Sequence, residues 1–304
     1  MEIVPFADEH VEGAAALLAE SHAAHRVAEP LLPDRSDLAA QIEAEREDAT
    51  GAVALEDGAV AGYLLGRRRE NFMGPHLWSH VAGQAARDPE LVRDLYAVAA
   101  QRWVDEGLTR HFVFVPSHDS ELIDAWFRLC FGASAVLAIR ETAPETYDAD
   151  VTIRHGTRDN YPEAARLELE MSRSMQPSPS FSGIELPTTE ELLRKEWLES
   201  DDEEIELFVA ERNGRIVGHQ LLYRRPPDLR VPDDNIDLAQ ASTEPEARGM
   251  GVGRALTAHV MRWAYENGHP TMTTDWRTTN LLASRFWPKR GFRPVFLRLY
   301  RSIP

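Results

Sequence analysis

The two halves of this chain present the same landmarks in the same order, and that internal repeat constrains the fold more than any other feature. Each half opens with a short apolar strand and a helix: Glu2–Phe6 then Val11–Leu18, and Val151–Arg154 then Tyr161–Met171. A proline-bearing loop and an acidic helix follow, Glu29–Arg35 with Leu38–Arg46, and Gly183–Thr189 with Glu190–Leu198. Alternating strands then flank Asp57-Gly58 and Asn213-Gly214, pairs favoured in two-residue hairpin turns. The long helices Leu91–Glu106 and Arg254–Glu266 each carry an Arg-Trp pair near the end. These pairs, Arg102-Trp103 and Arg262-Trp263, lie 160 positions apart. Aromatic-rich stretches, Ala125–Gly132 and Ser284–Phe292, close each half. The order predicts two related α/β domains over residues 1–143 and 150–304. The polar, proline-bearing segment Thr142–Asp150 reads as their linker.

A length of 304 residues suits two ordinary domains, and 43% hydrophobic content with mixed charge describes a soluble globular protein. No stretch approaches the roughly 20 apolar residues of a membrane-spanning helix. The N-terminus lacks a basic, apolar signal pattern, and the single Cys130 cannot close an internal disulfide. The expectation is a cytoplasmic monomer or homodimer without membrane contact. The net charge of −17 repels nucleic acid at long range, which argues against that partner. It would favour cationic small molecules or basic peptide ends, although solubility alone also accounts for it. Asp201–Glu204 reads as a solvated loop.

The sharpest motif is Arg248-Gly249-Met250-Gly251-Val252-Gly253, between the strand pattern of Asn235–Thr243 and a helix starting at Arg254. Glycines at these positions let the backbone bend tightly and approach a ligand. Free N–H groups and the helix dipole would favour a pyrophosphate there, with Arg248 and Arg254 at the rim. A dinucleotide-binding turn would occupy the first strand–helix unit of its domain, with an acid about 20 residues later. Here the glycines follow at least three strands and no such acid appears. A Walker loop is excluded, because no Gly-Lys-Ser/Thr follows.

At these residues the chain resembles the GNAT superfamily of N-acetyltransferases. Arg248, Gly251 and Gly253 match the family's acetyl-CoA signature, and Pro245–Gly249 matches its approach. A second family motif is matched by Asn280, Ala283, Phe286-Trp287 and Gly291-Phe292. The resemblance covers 151–304 well and the first half only through shared architecture. The tandem arrangement is similar to that of mycothiol synthase and other paired GNAT proteins, with no substrate implied. Each domain is then expected to be a mixed, mostly antiparallel sheet flanked by helices.

The resemblance implies acetyl-CoA as acyl donor. The arch backbone (Arg248, Gly249, Met250, Gly251, Val252, Gly253, Arg254) would hold its pyrophosphate. Ala241, Ser242 and Thr243 would contact pantetheine and acetyl, with Asn280 and Trp287 beside the cofactor's arm. A carboxylate on the fourth strand often serves the family as base. Asp237 fits that role by direction, since 237, 239, 241 and 243 are expected to share one strand face. Glu244 is the alternative, and either can equally be an ordinary exposed acid. The family often has a tyrosine where this chain has Trp287, whose indole is no general acid. Ser284 could donate a hydrogen bond instead, or water could supply the proton.

Acceptor recognition is expected on the Ser/Pro-rich loop Ser172–Gly183, through Met175 and Phe181. His155 and His219 lack metal-ligand spacing, so no metal is expected. Carrying the arch back 160 positions lands on Asp88–Asp94, where the glycines are gone and Asp88, Glu90 and Asp94 would repel phosphate. The first half is therefore expected to be a degenerate GNAT-like domain that binds no acetyl-CoA. The sequence thus points to an N-acetyltransferase acting on a small-molecule primary amine. Acetylation of a protein or peptide, and a non-catalytic acetyl-CoA sensor, stand as alternatives.

Overall fold

In the computed structural model, residues 1–71, 74–182, 189–199 and 205–304 are described. Most of the loop expected over Gly183–Thr189, and the acidic run 201–204, lie outside them. In chain order the elements are β1 (Glu2–Pro5), α1 (Val11–Ala28), α2 (Leu38–Arg46), β2 (Ala49–Glu56), β3 (Ala59–Asn71), β4 (Gly74–Ser79) and β5 (Gln84–Ala86). Then follow α3 (Leu91–Asp105), β6 (Arg110–Pro116), α4 (Ser120–Phe127) and β7 (Gly132–Glu141). The second series runs β8 (Thr152–His155), α5 (Tyr161–Met175), α6 (Glu190–Glu199), β9 (Ile205–Arg212), β10 (Arg215–Tyr223) and β11 (Ile236–Thr243). It ends with α7 (Val252–Glu266), β12 (Thr271–Arg277), α8 (Leu281–Phe286) and β13 (Arg293–Ser302).

The chain forms two compact units. One comprises Met1–Leu137, Asp228–Arg230 and Pro294–Pro304; the other comprises Ala138–Pro227 and Val231–Arg293. The division near residue 138 falls close to the expected linker. The last strand departs from the expected partition, because it belongs with the first unit.

In the first unit the strands run β1-β2-β3-β4-β6-β13, with β5 also on β3. All neighbouring pairs are antiparallel except β4 with β6. Asp57 and Gly58 both take positive φ, 51° and 82°, as the tight turn between β2 and β3 requires. The core packs Leu95, Tyr96 and Trp103 of α3 against Leu64, Leu77, Val113 and Leu299 of the sheet.

The second unit has the order β12-β11-β10-β9-β8, with only β11 and β12 parallel. Asn213 and Gly214 repeat the positive-φ turn at 51° and 73°. On one face α7 buries Val252, Ala255, Leu256, Val260 and Met261. On the other, Leu167 and Leu169 of α5 and Trp197 of α6 pack over Leu207 and Val209. Burying each of these large side chains contributes about 1.5–3 kcal/mol. Among the described residues no helix is long and apolar enough to cross a membrane.

Candidate active site

A β-bulge in β11 shapes the site. Leu222 of β10 faces Leu238 and Leu221 faces Gln240, so Ala239 is an extra residue without a partner. Pairing of β11 with β12 stops there: the register runs Ile236–Met272, Asp237–Thr273, Leu238–Thr274 and goes no further. Beyond it β11 continues to Thr243 and β12 to Arg277, and the strands splay apart. The splay opens a cleft of about 610 Å³, lined by Leu238–Thr243 on one side and Thr274–Arg277 on the other.

The bulge also resets which side chains share a face. Opposite residues on antiparallel strands point the same way. Asp237 opposite Tyr223, Gln240 opposite Leu221 and Ser242 opposite His219 therefore lie on one face, toward α5. Ser242 confirms this by donating to the Leu167 carbonyl of α5 at 2.8 Å. Ala241 and Thr243 take the α7 face, where Gln220 donates to Thr257 at 3.0 Å. The expectation that 237, 239, 241 and 243 share a face is thus corrected, because one inserted residue breaks the alternation.

At the far end of the cleft the glycine motif forms an arch. Gly249 and Gly251 take φ of 81° and 87°, and Gly251 caps α7 without a side-chain acceptor. The first turn of α7 carries no acid, so its N–H groups and dipole end face the cleft without a competing anion. At Gly253 an added Cβ would meet protein atoms only at 3.6 Å or beyond. The fold itself thus tolerates alanine there, and the glycines leave space for a ligand on the backbone.

Of the residues expected to hold a cofactor, Ala241, Ser242, Thr243, Arg248, Gly249, Gly251, Val252, Gly253, Arg254, Asn280 and Trp287 line the cleft. Met250 does not: it is exposed, with its sulfur 3.2 Å from Arg212 Nη1. Asn280 caps α8, its Oδ1 accepting from Leu282 and Ala283 N–H at 3.2 Å each. Trp287 is buried edge-on against Phe286 and Phe292, an apolar wall of the cleft. Met175 lines the cleft, whereas Phe181 is exposed and outside it.

The three expected catalytic side chains lie elsewhere. Asp237 is buried, 2.9 Å from Arg225, and accepts from the Thr273 hydroxyl at 2.6 Å. Burial raises its pKa, with Arg225 acting against that. Glu244 is buried between Arg166 at 2.9 Å and Arg215 at 3.0 Å. Both acids are structural ion-pair partners outside the cleft, so neither is the ordinary exposed acid weighed above. Ser284 also lies outside the cleft lining, one turn into α8.

Further polar side chains stand on or behind the α5 wall and the β12 rim of the cleft. Glu168 of α5 accepts from Trp197 Nε1 at 2.8 Å and from Gln240 Nε2 at 3.0 Å. Burial pushes its pKa up, the two donors working against it. His219, fully buried, stands edge-on to Trp197 at 5.9 Å, and both His219 and Gln240 line the cleft. Arg277 and Asp275 occupy the β12 rim. Only the position of Gln240 in the strand before the arch could have been noticed in the sequence.

Tyr147 was likewise read only as linker. Its segment is tied down by Thr142 Oγ1 donating to the His269 carbonyl at 2.6 Å and Arg262 Nη2 donating to that of Glu145 at 2.7 Å. The ring lines the cleft beside Gly251 and Arg254. Among the described residues no group of three or more His, Cys, Asp or Glu is placed to hold a metal ion.

Residues 170–292, which carry most of the cleft and the whole arch, match the model of the Acetyltransferase (GNAT) family. A GCN5-related N-acetyltransferase from Sphaerobacter thermophilus superposes with a TM-score of 0.63 at 16% identity, over 99% of this chain and 95% of that one. A glucosamine N-acetyltransferase region of a fungal multi-domain β-N-acetylglucosaminidase gives 0.59 at 14% identity, over 98% of this chain but 38% of that one. A tandem GNAT protein from the clavulanic acid biosynthesis pathway gives 0.52 at 14% identity, over 99% and 98%. At such identities the likeness is one of fold. A search among curated proteins gave no match. Residues 170–292 are thus similar to the Acetyltransferase (GNAT) family, and most of the splayed, glycine-arched cleft lies within that segment.

Proposed function

We propose that the second unit moves an acetyl group from acetyl-CoA to a primary amine of a small molecule. The observation that carries this reading is the continuity of the cleft, which runs from the glycine arch through the splay to Met175, His219 and Gln240 on the α5 side. Acetyl-CoA, when bound, supplies an acetyl thioester that is transferred to the amine nitrogen with release of free thiol.

The chain's own groups suit that task. N–H groups of Val252, Gly253 and Arg254, with the Arg248 and Arg254 guanidiniums, form an anion site for pyrophosphate. The edge of β11 beyond Leu238, freed by the bulge, offers backbone hydrogen bonds to an extended pantetheine arm. Thr274, Trp276 and Trp287 close the opposite wall and help exclude water. Among the described residues that line the cleft beside Trp287 none is acidic, so a proton for the released thiol would come from water.

Calorimetry with acetyl-CoA tests the arch. Gly251→Asp places a carboxylate on a left-handed backbone position at the helix N-terminus, and binding should be abolished. Intact affinity in that variant would refute the assignment. Thiol release over a panel of primary amines tests transfer.

A further inference from the structure

At the arch end of the cleft stand an aromatic ring and two arginines, all in the second unit. Tyr147 lines the cleft and is 42% exposed. Its chain is pinned on both sides. Arg262 donates to the Glu145 carbonyl at 2.7 and 3.1 Å, and Arg212 to the Asp150 carboxylate at 3.0 and 3.2 Å. The ring is therefore held in place before any ligand arrives, which lowers the ordering cost of binding to it. The Arg254 guanidinium lies 5.7 Å from the ring centroid and 3.5 Å from its hydroxyl. Arg290, partly exposed, sets its guanidinium 5.3 Å from the centroid of Phe286, another lining residue. Its Nε donates to the Lys289 carbonyl at 2.9 Å. Among the described residues neither arginine pairs with a carboxylate. Burial and the positive charge of Arg254 lower the pKa of Arg290; Glu145 opposes this but already pairs with Arg140. In a chain of 50 acidic and 33 basic residues, two neighbouring arginines without an acid call for an anion from outside.

We propose that Tyr147 and Arg290 form a nucleotide subsite for the far end of the acyl donor, Tyr147 stacking on the adenine and Arg290 pairing with the 3′-phosphate. The proposal rests on the reading that acetyl-CoA is the donor. A pyrophosphate on the arch accounts for Arg248 and the N–H groups of α7 but leaves Arg290 without a partner. Coenzyme A carries one further phosphate, on the same nucleoside as its aromatic base. A tyrosine ring suits that base, because stacking needs only a π-face. A guanidinium suits the phosphate, because its fork presents parallel N–H donors to two oxygens. The pair makes the protein selective for a free acyl-CoA over an acyl group on a pantetheine arm without the nucleotide, such as one borne by a carrier protein. The selecting ring comes from the segment joining β7 to β8, outside residues 170–292.

The experiment uses the full chain and calorimetric titration with three probes: coenzyme A, 3′-dephospho-coenzyme A and 4′-phosphopantetheine. Wild type should bind coenzyme A about tenfold more tightly than the dephospho form. Arg290→Gln should remove that preference, bringing the two within about twofold of each other. Tyr147→Leu should weaken both nucleotides about tenfold, and Tyr147→Phe, which keeps the ring, should bind them as wild type does. Affinity for 4′-phosphopantetheine should stay within about twofold in all three variants, since that probe lacks the nucleotide. Equal affinity of wild type for coenzyme A and its dephospho form would overturn the proposal, and that comparison needs no variant. An equal loss for all three probes in Tyr147→Leu would also overturn it, by showing that the ring only shapes the arch. Wild type that binds none of the probes sinks the donor reading and the subsite together. Wild type that binds all three alike sinks the subsite alone.

Discussion

Tyr147 lies so close over Gly251 that a Cβ on that glycine would come within 3.0 Å of the tyrosine's Cε1. The ring also sits beneath the Arg254 guanidinium at 5.7 Å. Gly251→Ala thus meets two penalties, a left-handed φ and a steric conflict with Tyr147. The φ penalty alone is about 1–2 kcal/mol. In a Tyr147→Ala background the second penalty disappears, so the loss caused by Gly251→Ala should shrink. A double-mutant cycle by urea denaturation measures the difference; equal losses in both backgrounds would mean the two residues are uncoupled.

Asp237 holds Arg225 in place and does not reach the cleft. Asp237→Asn should cost about 2 kcal/mol of stability, less than for a fully buried pair because Arg225 keeps some solvent. Transfer activity per folded molecule should stay within about twofold. A large drop in kcat with unchanged stability would return Asp237 to the chemistry.

The raised pKa of Glu168 carries a definite sign. Burial lifts it above the ordinary 4.5, against the donors Trp197 and Gln240. The folded state then binds a proton more readily than the unfolded chain. This group's contribution therefore becomes more favourable as pH falls through the folded-state pKa, and is least favourable above it. Urea denaturation between pH 7 and pH 5 should show wild type gaining on Glu168→Gln as the solution is acidified. The opposite trend would show that the donors outweigh burial.

One acetyl-CoA should bind per chain. In the first unit the matching helix start is filled by its own acids. Asp88 Oδ1 accepts from the Glu90 N–H at 3.0 Å, and Glu90 pairs with Arg93 at 3.0 Å and Arg128 at 2.6 Å. The cavity beside Pro89 and Val92 is about 40 Å³, against about 610 Å³ in the second unit. Calorimetric titration should give a stoichiometry of one, and a value of two would place a second site in the first unit.

Much of this architecture was legible in the sequence because its signals are local. The Asp-Gly and Asn-Gly turns, the repeated helices and the glycine arch each follow from a few adjacent residues whose backbone needs are specific. The bulge at Ala239 has no such signal, since alanine fits a regular strand equally well. Missing it turned Asp237 to the wrong face and hid the shared wall of Gln240 and His219. The role of Tyr147 was equally invisible: a polar, proline-bearing segment looks like a linker whether or not it packs on an arch. Glu168 became visible only once α5 was laid across β11, a relation between residues 72 positions apart.

The pairing of β13 with β6, Phe296 opposite Pro116 through Ser302 opposite Arg110, also sets an order of events during synthesis. The strand that completes the first unit's sheet is made about 180 residues after its partner. At typical elongation rates that is a wait of roughly 10–35 s. Throughout it the nascent chain carries an open β6 edge, the kind of surface that chaperones cover and that invites pairing between neighbouring chains on one messenger. The first unit's sheet is thus begun before the strands of the second unit are made and closed only after them.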